Sequence, residues 1–412
     1  MNLEVDRGRL FNEIEKLALI SDAEPPAVTR VVFSPTDGKA RVWFIGLCEQ
    51  AGLAVRHDPV GNTFARWSGT EPDVPAVGTG SHIDAIPNAG KYDGVVGVLG
   101  GLEAIRALQR SGFRPKHSLE LLLFTSEEPT RFGIGCLGSR LLSGSMPADA
   151  ARKLVDKEGA SLEEVRRNAG FAGALEEVKL SHGYLKAFVE LHIEQGPLLE
   201  RHRVPIGIVT SIAAPASFRF AVEGAGGHAG AMLMPERRDA LCAASELILA
   251  IETAAKASGA VDTVATVGIC DVFPGAVNSI PSRVRFTLDL RDTSLERRDA
   301  VLRVIQAARE DISAKRQVVI QEELVNADAP AQCATEITEA LSRACTKHQL
   351  ASIPMVSRAY HDSLFMSRIV PAGMLFIPCR HGYSHRPDEY SSPEDIERGV
   401  LVLAETLAAL AS

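Results

Sequence analysis

Apolar and polar positions along the chain change period several times, and each change predicts an element. Residues 5–22 place Leu10, Ile14, Leu17 and Leu19 at helical spacing, and 40–51 predict a second amphipathic helix. Residues 54–67 and 75–81 read as strands, and 95–108 return to helix. The run 118–124 (SLELLLF) is short, apolar and β-like, and 184–193 (YLKAFVELHI) resembles it. Residues 147–174 form a charged, mixed helical region, peripheral to these strands. From about 213 the pattern becomes strand 218–223, helix 237–257, strands 263–272 and 283–291, helix 295–312 and strand 317–324. This βαββαβ order predicts a four-stranded antiparallel sheet with two helices on one face, inserted into the first domain. Helix 335–348, strand 373–378 and closing helix 393–410 complete the first domain. The expectation is α/β: a doubly wound mixed-sheet domain over 1–212 and 329–412, with a ferredoxin-like domain over 213–328.

Three of the predicted strands run into polar residues of one chemical kind. Strand 75–81 leads to His82, Asp84 and, after a Gly/Pro/Asn-rich loop, Asp93. Strand 118–124 leads to Glu127 and Glu128, and strand 184–193 ends at His192 with Glu194 and Gln195 beyond it. Parallel strands in a doubly wound sheet gather such ends at one edge. With His385 in the loop after 373–378, the set is His82, Asp93, Glu128, His192 and His385. Imidazole and carboxylate together suit Zn, Mn, Co or Ni, whereas calcium takes an all-oxygen shell and structural zinc recruits cysteines. Asp93 is the natural bridge between two ions. Of the adjacent carboxylates, one can hold metal while its neighbour moves protons. Structural strand-end histidines and a solvated Glu-Glu turn remain the alternatives at this level, because no HExxH-type spacing is present.

Composition narrows the class. At 412 residues with 46% apolar content, the chain can fill two or three cores. A net charge of −8 without a Lys/Arg block argues against a nucleic-acid partner. Seven cysteines without a CxxC pair fit reduced thiols, and the N-terminus is charged where an export leader needs an apolar core. The expected location is cytoplasmic, with no membrane anchor.

Six ordered motifs carry a resemblance over essentially the whole chain: GTGSHIDAIPNAGKYDG, FTSEEPTRFG, ELHIEQGPLLE, GGHAGAMLMPERRDAL, NSIPSRVRFTLDLRD and HGYSHRPDEY. The sequence resembles the amidase, hydantoinase and carbamoylase branch of the M20 metallopeptidase-like family. That resemblance implies a metal-dependent hydrolase of ureido or carbamoyl C–N bonds, normally a homodimer with a catalytic domain and a lid or dimerisation domain. It implies two divalent ions, manganese first and Zn, Co or Ni as alternatives. His82, Asp93 and His192 match one metal position, and Asp93, Glu128 and His385 the other. Glu127 matches the general base, Gln195 a substrate contact, and His228, Asn278 and Arg291 the lid residues that close over substrate.

One segment departs from the wider family. Where carbamoylases carry an SGAGHDA-type segment, this chain has SRAYHDS, so Arg358 and Tyr360 replace glycines beside His361. Larger side chains there favour a small polar ureido acid, and the variant resembles the ureidoglycolate-cleaving members known from plants. N-carbamoyl-L-amino acids, β-ureidopropionate and allantoate are the alternative substrates, and a silent ureido-acid binding protein is the rival of another class.

Overall fold

Four parallel strands, each almost wholly buried, organise the larger part of the molecule. In the computed structural model, which describes residues 3–412, these are Ala372–Ile377, Leu185–Ile193, Ala76–Ser81 and Leu119–Leu123, adjacent in that order. Near-continuous apolar sequence is what a strand covered on both faces requires. Antiparallel strands Thr63–Trp67 and Ala54–His57 extend one side. Ile206–Ile212 extends the other, antiparallel to Ala372–Ile377, and itself pairs with Ala331–Gln332 and Ser352–Ser357, giving nine strands. One core joins the sheet to helices Arg7–Ala18, Pro35–Gln50, Val95–Arg110, Thr335–Lys347 and Pro393–Ala411. A second core lies under Leu137–Ser143 and Leu162–Asn168.

The chain divides into two compact units. The first runs through Thr210 and resumes over Gln332–Ser412, and the second is Ser211–Ala331. Within the second, Ala214–Glu223 lies between Arg283–Asp292 and Val319–Ala327, all antiparallel, and helices Ala240–Ala257 and Leu295–Arg316 share its core.

Three elements differ from the sequence pattern. The strand expected over 54–67 is a hairpin, because Pro59 and Gly61 stop the ladder and the Asp58 carboxylate takes the N–H groups of Val60 (3.0 Å) and Asn62 (2.9 Å). The strand expected over 263–272 is interrupted around Gly268. It becomes Val264–Thr266 and Cys270–Phe273, both paired to Arg283–Asp292, so the sheet has five strands rather than four. The mixed region 147–174 contains only the short helices Ala148–Ala151 and Leu162–Asn168.

Candidate metal centre

His82 follows directly on Ala76–Ser81 and is 2% exposed. Its Nδ1 lies 3.0 Å from the Asp84 carbonyl oxygen, which leaves Nε2 facing Asp93 Oδ1 (3.8 Å) and Glu127 Oε2 (3.7 Å). Asp93 stands one residue before Gly94, the N-cap of helix Val95–Arg110, where the positive helix end favours a carboxylate. Gly94 has φ +66, and a Cβ there would run into the His82 ring. The sequence Asp-Gly thus lets a carboxylate and an imidazole share a space that any larger residue would fill.

Asp93 divides its oxygens between two groups. Oδ1 is 3.1 Å from His192 Nε2, while Oδ2 is 3.0 Å from His385 Nε2 and accepts from Gln195 Nε2 at 3.0 Å. His192 is oriented by its Nδ1, 2.9 Å from the Ile193 carbonyl. His385 Nε2 also faces Glu128 Oε1 at 3.3 Å. Two triads result, His82–Asp93–His192 and Asp93–Glu128–His385, and the ligand-capable atoms of each lie within 4.8 Å of one another.

Beyond Leu119–Leu123 the backbone turns at Ser126 (φ 56), and the next two carboxylates diverge. Glu128 enters the second triad. Glu127 belongs to neither and has its Oε1 within 3.4 Å of the Cys136 thiol. The turn is held by Asp84, whose carboxylate accepts the N–H of Glu127 (3.3 Å) and of Glu128 (3.0 Å). Asp84 therefore ties the first loop to the second.

Electrostatics decide what this arrangement can hold. Burial pushes the Glu128 carboxyl up to about 7, with Asp93 adding and His385 and His82 opposing. Burial, followed by the charges of Glu128, Asp362 and Asp93, outweighs His82 and holds Glu127 well above its ordinary value. Burial also disfavours the Asp93 anion, but hydrogen bonds from His192 and His385 overcome it and keep that carboxyl well below the usual range. Buried carboxylates crowded against imidazoles form a donor set that a divalent cation satisfies better than shared protons do. Nitrogen and oxygen donors without thiolate match a first-row ion such as manganese or zinc.

A third cluster, Glu190, His192 and His361, is different in kind. Glu190 accepts from Ser81 Oγ (2.8 Å), Ser363 Oγ (2.6 Å) and Ser363 N (3.2 Å), so its oxygens are already used. His361 is 2% exposed and packs edge-on against His192, ring centres 4.5 Å apart. This cluster supports His192 from behind.

The first unit therefore brings together His82, Asp93, Glu127, Glu128, His192, Gln195 and His385, with His361 and Tyr360 on the next segment. His228, Asn278 and Arg291 belong to the second unit. There His228 lies on the short strand Gly227–His228 beside Asn278, whose carbonyl accepts from Ala229 N at 2.9 Å. Arg291 donates from Nε to Asp289 Oδ1 at 2.7 Å. Sequence reasoning missed Asp84 as an organiser, although its spacing two residues after His82 was the signal. It also missed Glu389, which accepts the N–H of Tyr92 (2.8 Å) and Asp93 (3.1 Å) and the Ser384 hydroxyl (2.8 Å). Glu389 sits four residues after His385, and no spacing rule in sequence links it to Asp93.

The family model of peptidase family M20/M25/M40 matches residues 78–409, which contain every residue of both triads. The chain belongs to this family. A relative from Arabidopsis thaliana, a ureidoglycolate hydrolase, is 54% identical over 99% of this chain and 87% of its own length. The crystal structure of AtUAH in complex with glyoxylate is 53% identical, covers 99% of this chain and 98% of that one, and has a TM-score of 0.90. At lower identity, an N-carbamoyl-L-amino-acid amidohydrolase from Pseudomonas sp. (strain NS671) is 37% identical over 98% of both chains.

Proposed function

We propose that this chain is a binuclear metal-dependent amidohydrolase that cleaves the ureido C–N bond of ureidoglycolate. The observation that carries the reading is a pair of His/carboxylate triads sharing Asp93, with Glu127 Oε2 3.7 Å from His82 Nε2 and a member of neither. The substrate follows from the similarity, over nearly the whole chain, to a ureidoglycolate hydrolase. His82, Asp93 and His192 would hold one ion and Asp93, Glu128 and His385 the other, manganese first among first-row metals. When bound, such ions supply Lewis acidity and lower the pKa of water.

Glu127 Oε2, which faces His82, takes the proton from the attacking water, while Oε1 stays against the Cys136 thiol. The same carboxyl then delivers the proton to the departing nitrogen. Gln195 is fixed by Asp93 and Ser384 and presents its amide to the substrate. His228 donates to the oxygen that becomes negative during attack, and Arg291 with Asn278 holds the substrate carboxylate. Tyr360 and His361 of the first unit contact the substrate as well in this reading. Water and ureidoglycolate yield ammonia, carbon dioxide and hydroxyglycine, and the last decays to glyoxylate and a second ammonia.

The second unit acts in this reading as a ferredoxin-like lid and as the contact of a homodimer. The strand order supports the ferredoxin-like topology: numbering Ala214–Glu223, the paired short strands, Arg283–Asp292 and Val319–Ala327 as 1 to 4 gives 4-1-3-2. All seven cysteines are free, which supports a reducing, cytoplasmic compartment. No helix among the described residues is long and apolar enough to cross a membrane.

The test is ammonia release from ureidoglycolate, allantoate, N-carbamoyl-β-alanine and N-carbamoyl-L-amino acids by manganese-reconstituted protein. A kcat/KM highest for ureidoglycolate is expected. Preference for a carbamoyl amino acid would instead favour the reading suggested by the Pseudomonas relative.

A further inference from the structure

The short helix Leu137–Ser143 follows the Glu-Glu turn, and polar groups at its start and along one side reach three different parts of the site. Cys136, its N-cap, meets Glu127. Ser139 Oγ donates to Asp362 Oδ1 at 2.5 Å. Arg140 reaches Tyr360, with a terminal nitrogen 3.5 Å from the phenol oxygen.

Arg140 is 4% exposed, an expensive place for a guanidinium unless its planar shape is used. Its Nε donates to the Gly135 carbonyl at 2.9 Å. Its central carbon lies 4.2 Å from the centre of the Phe365 ring and 5.7 Å from that of Tyr360. Those two rings are themselves nearly parallel, 6.1 Å apart at 23°. A cation stacked on one ring and placed at the hydroxyl of the other fixes both the plane and the direction of the Tyr360 phenol. Tyr360 immediately precedes His361, which packs against His192, so its orientation is set at the edge of the metal centre.

We propose that Arg140 is a specificity-positioning residue: it fixes the Tyr360 phenol and thereby sets the preference for a small hydroxylated ureido acid over carbamoyl amino acids. This rests on the reading of Tyr360 as a substrate contact. Lysine would keep the charge but not the stacked plane, and methionine would keep only the volume.

The experiment is a double-mutant cycle on the reconstituted enzyme, using Arg140→Met, Tyr360→Phe and the double variant, with Arg140→Lys as the conservative change. It measures kcat/KM for ureidoglycolate and for an N-carbamoyl-L-amino acid, together with manganese content. Each single variant is expected to lower the ratio of the two kcat/KM values by roughly 5- to 100-fold, the usual range for one lost polar contact. The double variant should be no worse than the poorer single, Arg140→Lys should recover only part of the loss, and metal content should hold. Multiplicative losses, equal losses on both substrates, or a Tyr360→Phe enzyme with unchanged preference would overturn the proposal. If Arg140→Met does not fold, the same cycle runs with Arg140→Lys. Should the wild type prefer the carbamoyl amino acid, the substrate reading fails, and the cycle on that substrate still decides whether Arg140 acts through Tyr360.

Discussion

Glu127 and Glu128 are neighbours in sequence, yet their side chains meet different partners: a thiol and His82 for one, His385 for the other. In Glu127→Gln the size is kept and the base is lost. Metal content should stay near wild type while kcat falls by about 10²–10⁴, the usual contribution of a positioned base. Metal analysis alongside steady-state kinetics checks this, and lost metal with retained turnover would mean that the two glutamates exchange roles. Asp93 differs from every other candidate ligand in facing both triads. Asp93→Ala should therefore lose more metal than His82→Ala or His385→Ala, measured by elemental analysis after identical dialysis. Equal losses from all three variants would remove the bridge.

At the scale of the element, the parallel strands need close backbone approach just below the site. Gly80 has φ +155, and an added Cβ would collide with the Leu122 carbonyl on the neighbouring strand. Gly80→Ala combines an unfavourable backbone with a clash that flexible atoms cannot relieve, so it should destabilise the protein by about 2–4 kcal/mol. Urea unfolding measures it, and an unchanged midpoint would refute the argument. In the second unit, Glu246 on Ala240–Ala257 pairs with Arg316 and with Lys315 (3.3 Å) at the end of Leu295–Arg316. The Arg316 hydrogen bond, followed by the one from Lys315, brings the Glu246 carboxyl down to about 2. Its folded value lies below the unfolded one, so the stabilisation is present above about pH 4.5 and is lost as pH falls toward 2. With 31% of the side chain exposed, solvent screening limits the contribution to ~0.5–1 kcal/mol. Glu246→Gln should show that deficit at pH 7 and a smaller one at pH 3, by denaturant titration at each pH.

For the whole molecule, metal should matter to the fold as well as to turnover, because both triads hold buried carboxylates that a cation would neutralise. Chelation should abolish ammonia release. Manganese at about a hundred times its dissociation constant should restore it and add about 2.7 kcal/mol of stability for each ion bound. Full turnover in thoroughly metal-free protein would end the mechanism. The sequence by itself determined the strand ends. Apolar runs stopping at His82, Glu127 and His192 are a local pattern, and parallel pairing converts it into proximity. It also determined the change of period near residue 213, because helix and strand repeats are written in consecutive residues. It did not reveal the break around Gly268, where a glycine within a β-type run left the period intact while the paired strand ended. Nor did it reveal the supports of the site. Asp84 holding the Glu127 and Glu128 amides, Glu389 holding those of Tyr92 and Asp93, and Arg140 against Tyr360 join residues from 43 to 297 positions apart. Such contacts have no period, since a side-chain hydrogen bond depends on where two loops arrive in space. Only the packing of the tertiary structure decides that.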